Sequence, residues 1–369
     1  MANFKLVSAN EKHVWSTKYT REYVRTLGLM PYMDTSATAI IRMDKSLSSQ
    51  SGAVVHCPYF AKLSGGVTGS TQLMGNEENL KNYSTAVRAS LRRNAVKIQE
   101  SETYKTELDI ANVARASLID NSAEKLRDDV IIAGQSVVVS GGLDAESNPL
   151  EDTYVPFATA SAAQKNAWLV ANTDRVLFGT KRANSVSGVF STSALTVDAT
   201  QKMSAALINM AKAMAKKTAP FKVTPYRSDA TAGREWYVLF VDSEGFRDLS
   251  VDPIIYAANK DARPNDVEKN PIFQSGDLIY NGVIIREIPE LTTAGAIGAS
   301  GATLGHALLC GQAAIAVAFA KMPEPRVQAF DYGMENNVGV VEIRGQAKMS
   351  AQGVQTGIVS IFHASALDA

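Results

Sequence analysis

Four histidines (His13, His56, His306 and His363) and two cysteines (Cys57 and Cys310) are the side chains of this sequence best suited to bind a metal or act as a nucleophile. Metal sites and catalytic pairs need such groups at short spacings, as in HExxH or paired CxxC, so that one helix face or loop brings them together. Here each stands alone. No GxSxG elbow occurs, and neither cysteine carries a local nucleophile signature. Glu77 and Glu78 are adjacent, and helix or strand geometry points such neighbours apart, so they read as solvated loop charges. The glycine-rich stretches 64–70 and 295–301 invite a phosphate-binding reading, because bare amides can cradle an anion. The first lacks a closing Lys-Ser or Lys-Thr, and Gly295, Gly298 and Gly301 are out of step with GxGxxG. The one basic cluster, Arg88, Arg92, Arg93 and Lys97, reads as a solvated or intersubunit face. No catalytic, cofactor-binding or metal-ligating residue is assigned.

The composition agrees with a binding or structural role. The 37 Lys and Arg residues balance 37 Asp and Glu, so the one-sign excess that drives sequence-independent phosphate or lipid binding is missing. With 46% hydrophobic residues over 369 positions, the chain has material for two or three compact regions, or one discontinuous fold. Two distant cysteines fit a reducing cytoplasm. The first sixteen residues are charged throughout and lack a signal-peptide core. The longest apolar run, 307–320, is broken by Gly311 and Gln312 and is too short to span a bilayer, so no membrane partner is expected.

The elements that would carry these residues follow in order. Residues 1–48 look like an arm, with a short helix over 15–28. Apolar and aromatic residues at 53–63, with Pro58, predict an edge strand, and 83–98 predicts a second. Between them lies a polar, Gly-rich loop from 64 to 82, longer than compact domains usually carry. Together they predict a projecting hairpin: either an ordinary surface loop, or an arm across a neighbouring copy. Residues 101–133 contain no Pro or Gly and predict a helix of about 45 Å. Leu108, Ile119, Leu126 and Val130 form one apolar stripe, and Ile110, Val113 and Leu118 lie off it, as in a strut with contacts on two sides. Helices are predicted at 161–172, 198–217 and 312–320. Strands are predicted at 236–241 and 307–310, as an Asn-Gly hairpin over 278–285, and again in the last forty residues.

The order of these parts, with specific strings, resembles the major capsid proteins of tailed bacteriophages with the Hong Kong 97 fold, nearest the branch of short-tailed phages related to coliphage N-four. GSTQLMGNEENL (69–80) resembles the family's extended-loop tip, with Gly69, Gly75, Glu77, Glu78 and Leu80. Residues 83–134 are similar to its return strand and spine helix. EWYVLFVDSEGFRDLSVDP (235–253) and NPIFQSGDLIYNGVIIREIPEL (270–291) resemble its axial domain, and 306–320 and 330–351 its closing helix and returning strands. Many relatives have a histidine-proline step where this chain has Asp242 and Ser243.

What the resemblance implies is an α+β capsid fold divided into an N-terminal arm (1–48), an extended loop (49–100), a peripheral domain with the spine helix (101–220), an axial domain (221–325) and strands returning to the peripheral domain (326–369). It implies a shell protein rather than an enzyme, forming hexamers and pentamers around double-stranded DNA held without sequence specificity. Intersubunit contacts are expected from Gly69, Gly75, Glu77, Glu78 and Leu80, followed by Arg88, Arg92 and Arg93. A scaffolding protein, a portal protein and a cement protein are the expected partners besides the chain itself. Assembly is expected in the host bacterial cytoplasm, ending in the virion. An encapsulin-type nanocompartment shell is the alternative, and an enzyme with an unrecognised site the next. Some relatives join subunits through a Lys to Asn bond. Lys62, Lys81, Asn336 and Asn337 are present, but a wet loop would leave the lysines protonated, so no such bond is expected.

Overall fold

The computed structural model describes residues 29–48, 53–63, 65–66, 68–69, 72–78, 80–103, 109–143, 150–185, 188–229, 233–261 and 277–366. The expected helix at 15–28 lies outside them. The chain divides into two compact units. One consists of Met1–Arg25, Leu91–Lys125 and Lys321–Ile343, the other of Thr26–Ser90, Leu126–Ala320 and Arg344–Ala369.

The larger unit is built on a mixed sheet in the order Asp277–Tyr280, Val283–Glu287, Arg234–Val241, Leu304–Cys310, Ile358–Ala364 and Val176–Phe178, with Arg227–Asp229 added to the start of Arg234–Val241. The continuous apolar run in Arg234–Val241 has a simple cause: both faces of this central strand are covered. Tyr237, Leu239 and Val241 pack on one face with Leu207, Ile208 and Ala211 of the helix Ala205–Lys217. Val238 and Phe240 pack on the other with Val130 and Ile131 of the helix Ile110–Gln135. A third core gathers aromatic rings at the Val176–Phe178 edge, where Phe362 stacks on Phe178 at 5.0 Å and on His306 at 4.4 Å. The expected Asn-Gly hairpin is present, with Asn281 at φ 45° and Gly282 at φ 71°, the left-handed pair that a two-residue turn demands.

Five expectations need correction. The helix expected from residue 101 starts at Ile110 and runs 26 residues to Gln135, about 39 Å. Asp109 starts it by accepting from the Asn112 amide at 3.1 Å, the action of an N-cap. A separate turn of helix covers Glu100–Thr103. The proposed stripe does not hold either, since Leu118 is buried and Ile119 is 52% exposed. The helix expected over 198–217 begins only at Ala205, because the Asp198 carboxylate turns the chain by accepting from the Thr200 amide and hydroxyl. The strand expected over 83–98 is two strands, Asn82–Arg88 and Ser90–Val96, belonging to different sheets.

The largest correction is at 312–320, read as a helix and, by resemblance, as the closing helix. It is the start of the strand Ile315–Phe330. Ile315, Val317 and Phe319 face the core that contains Val130 and Phe240, while Ala316 and Ala318 face Val55, Cys57 and Val87. Burial on both faces at period two overrides the helix preference of alanine. Ile315–Ala318 also pair in parallel with Ile41–Asp44.

The smaller unit holds the outer parts of Ile315–Phe330 and Glu335–Lys348, with Ser90–Val96 next to the latter in the sheet order. Its core is small: Ile98, Ala114, Leu118, Val338 and Val340.

Candidate functional site

The expected projecting hairpin exists. Val54–Phe60 and Asn82–Arg88 pair antiparallel from Val54 opposite Arg88 to Phe60 opposite Asn82. Its root is built into the larger unit by alternation. Val55, Cys57 and Val87 turn inward onto Ala316, Ala318, Ala347 and Met349. Thr85 donates its hydroxyl to the Ser350 carbonyl at 2.9 Å and accepts from the Ser350 amide at 3.1 Å. Further out, Phe60 and Leu63 are more than half exposed.

The tip has its own internal order. The Asn76 amide donates to the Leu73 carbonyl at 3.0 Å across a turn with Gly75 at φ 84°, a conformation that favours glycine. Glu77 accepts from the Gly75 amide at 2.8 Å, and Glu78 from the Gly65 amide at 2.5 Å. Both carboxylates are therefore engaged in shaping the tip rather than aimed at a common point. The tip turns apolar side chains outward: Met74 is 84% exposed, Leu73 62% and Leu80 57%. Gly69, also exposed, sits at φ 71°. Lys62 and Lys81 are exposed beside the Ala61 amide to Lys81 carbonyl bond that closes the ladder.

The basic cluster does not act as one patch. Arg88 reaches Glu151 at 2.7 Å, and the strand then breaks, with the Ala89 amide donating to the Ala53 carbonyl. In the smaller unit, Arg92 and Arg93 line a cleft of about 410 Å³ with Lys125, Asn94, Asn121 and Glu342. Asn94 donates to Asn121 at 3.1 Å and Ser122 to Glu342 at 3.0 Å. Lys97 pairs separately with Glu335 at 2.5 Å.

Most other groups with chemical potential are buried and hold the fold. Lys348 is fully buried, donating to the Ser136 carbonyl at 2.7 Å and to Gln355 at 3.2 Å, and burial pushes its pKa down to about 7. Burial pushes the Cys310 thiol up to about 12 and holds His306 well below the ordinary imidazole range. Ser365, His363 and Asp242 meet in the interior. Both the Ser365 hydroxyl (2.7 Å) and the His363 ring (3.1 Å) face the Asp242 carboxylate, so the serine is not set up for attack through the histidine. Burial works against ionisation of Asp242, but those two partners prevail and hold its carboxyl below the usual range. Arg344, fully buried, pairs with Asp129 at 2.7 Å. No pattern in the sequence marks these buried charges, since isolated Lys, Arg and Asp residues normally read as surface. Among the described residues no group of three His, Cys, Asp or Glu side chains could hold a metal. No described helix is long and apolar enough to cross a membrane.

Comparison with known proteins adds the remaining observations. A family model described as phage capsid protein matches residues 3–367. The major capsid protein of Pseudomonas phage KPP25 is 27% identical over 364 residues, covering 94% of this chain and 91% of that protein. Among solved structures, the capsid asymmetric unit of cyanophage Pam1 superposes with a TM-score of 0.89 at 36% identity, with full coverage of both chains. The capsid of Ralstonia phage GP4 shares the fold, with a TM-score of 0.73 at 20% identity over 98% of this chain and 97% of that one.

Proposed function

Because the chain belongs to the phage capsid protein family, and is a major capsid protein whose copies assemble into the shell of the virion, we propose that its extended hairpin is the intersubunit arm of that shell. The observation that carries this is the tip, which leaves Leu73, Met74 and Leu80 in water in a lone copy. Exposed apolar groups gathered at one projecting end mark a surface meant to be covered. Gly69, Gly75, Glu77 and Glu78 shape that tip. On this reading Arg88, Arg92 and Arg93 divide their roles, with Arg88 held at the hairpin root and the other two lining the cleft.

The shell would be icosahedral, made of hexamers and pentamers, and would enclose double-stranded DNA held without sequence readout. A scaffolding protein, a portal protein and possible cement proteins complete the partners, and assembly takes place in the bacterial cytoplasm. The strings 235–253 and 270–291 support placing the chain in the branch related to coliphage N-four. We keep the division into arm (1–48), extended loop (49–100), peripheral domain (101–220 and 326–369) and axial domain (221–325) as the working map of the chain. Electron microscopy of the chain co-expressed with its scaffold tests the reading. Closed particles of uniform size are expected, and a strictly monomeric protein under those conditions would sink it.

A further inference from the structure

Toward its outer end the hairpin meets the body of the larger unit through aromatic rings. Tyr59 and Tyr83 lie directly opposite each other in the ladder. Both rings meet Phe221 edge-on, with centroids 5.4 and 5.2 Å away at 88° and 81°. Beyond this pair, Phe60 and Asn82 are exposed. Phe221 is only 4% exposed, although it stands in the connection between Ala205–Lys217 and Arg227–Asp229 and has no regular element to hold it.

Its place is fixed from behind. Fully buried Arg175 donates to the Phe221 carbonyl at 3.1 Å and to the Gln355 carbonyl. Asp174 pairs with Arg175 at 2.9 Å and accepts from the Ala219 amide at 2.9 Å. Thr218 accepts from the Val223 amide at 3.1 Å, closing the connection around Phe221. Charge-assisted bonds of this kind are stronger than neutral ones, and so many of them fix a segment that would otherwise move as a surface loop.

We infer that Phe221 is the positioning residue of the extended hairpin: its ring, carried on a backbone that Arg175 holds, sets the angle at which the hairpin leaves the unit. A two-stranded ribbon has little stiffness of its own, so its direction is set where its last core contact sits. Ten extended residues at about 3.3 Å each reach at most about 33 Å, so a tilt of about 10° at the root moves the tip by about 6 Å. That displacement is enough to miss a contact on another copy. The geometry stands by itself, while the consequence for shells rests on the hairpin being the intersubunit arm.

The test uses the full, unassembled chain with spin labels at Met74→Cys on the tip and Ser191→Cys on the body. Native Cys57 and Cys310 are 1% and 0% exposed and do not compete for label. Phe221→Ala should widen the distance distribution about twofold, and speed exchange of the hairpin amides about tenfold. Phe221→Tyr should keep both near the native values. If Phe221→Ala does not fold, Tyr59→Ala with Tyr83→Ala removes the same contact from the hairpin side and should give the same result. A folded variant with unchanged width and exchange would overturn the inference. Because the readout precedes assembly, native protein that formed no shells would count against the arm reading and leave this result untouched.

Discussion

The strand Ile315–Phe330 passes through two environments. Its first five residues are fully buried, while from Met322 onward every residue is exposed, including Val327 and Phe330. The strand Leu304–Cys310 has all seven residues buried, and the hairpin tip has nearly all of its described side chains in water. Apolar residues thus serve two purposes in one chain. Inside the larger unit they exclude water within one molecule. At the tip and along the outer strands they stand in water in the single copy.

The sharpest way to break that contrast is to remove the tip. Deleting residues 65–79 should abolish shell formation in electron micrographs, yet shift chain stability by no more than about 1 kcal/mol, because every described side chain in that span is exposed. A deletion that unfolds the chain would show that the tip belongs to its core. Next in size is a matched pair of truncations. Phe362→Ala, in the stacked aromatic core, should cost about 3–5 kcal/mol in urea unfolding, whereas Phe330→Ala should stay within about 0.5 kcal/mol. Equal losses would erase the distinction between the two regions.

A smaller effect concerns the buried charges of the larger unit. The carboxyl of Asp242 is held below its ordinary value, so its contribution is present above the unfolded carboxylate pKa of about 3.9 and is lost as pH falls through the lower folded value. Asp242→Asn should flatten the acid limb of the stability curve, and an unchanged limb would assign it to other groups. Least perturbing of all is boiling mature particles in detergent. A single band near 39.5 kDa is expected, and oligomers that survive reducing agent would reveal a covalent bond between subunits.

Local chemistry made part of this structure readable in advance. Asn281 and Gly282 specify their turn, the apolar run from Trp236 to Val241 its strand, and the helix expected over 161–172 is present as Ala162–Ala171. The hairpin around 64–82 and its exposed carboxylates were legible for the same reason. What escaped depends on residues distant in sequence. The alanines at 316 and 318 take a strand because the hairpin root needs shallow side chains beneath it. The basic cluster looked continuous because the break at Ala89 is a change of pairing partner, not a change of composition. Phe221 was silent, because its role comes from Arg175 and two tyrosines more than a hundred residues upstream.

The parallel pairing of Ile41–Asp44 with Ile315–Ala318 bears on how the chain is made. Ile41 leaves the ribosome tens of seconds before its sheet partner Ile315, at about 5–20 residues per second. Until then Ile40 and Ile41, both 0% exposed in the finished fold, lack the part of their cover that Ile315–Ala318 supply, although Leu29, Val130 and Phe240 of the same core are already made. This pairing therefore waits on a distant segment, and the waiting strand is a natural substrate for chaperones that shield apolar segments.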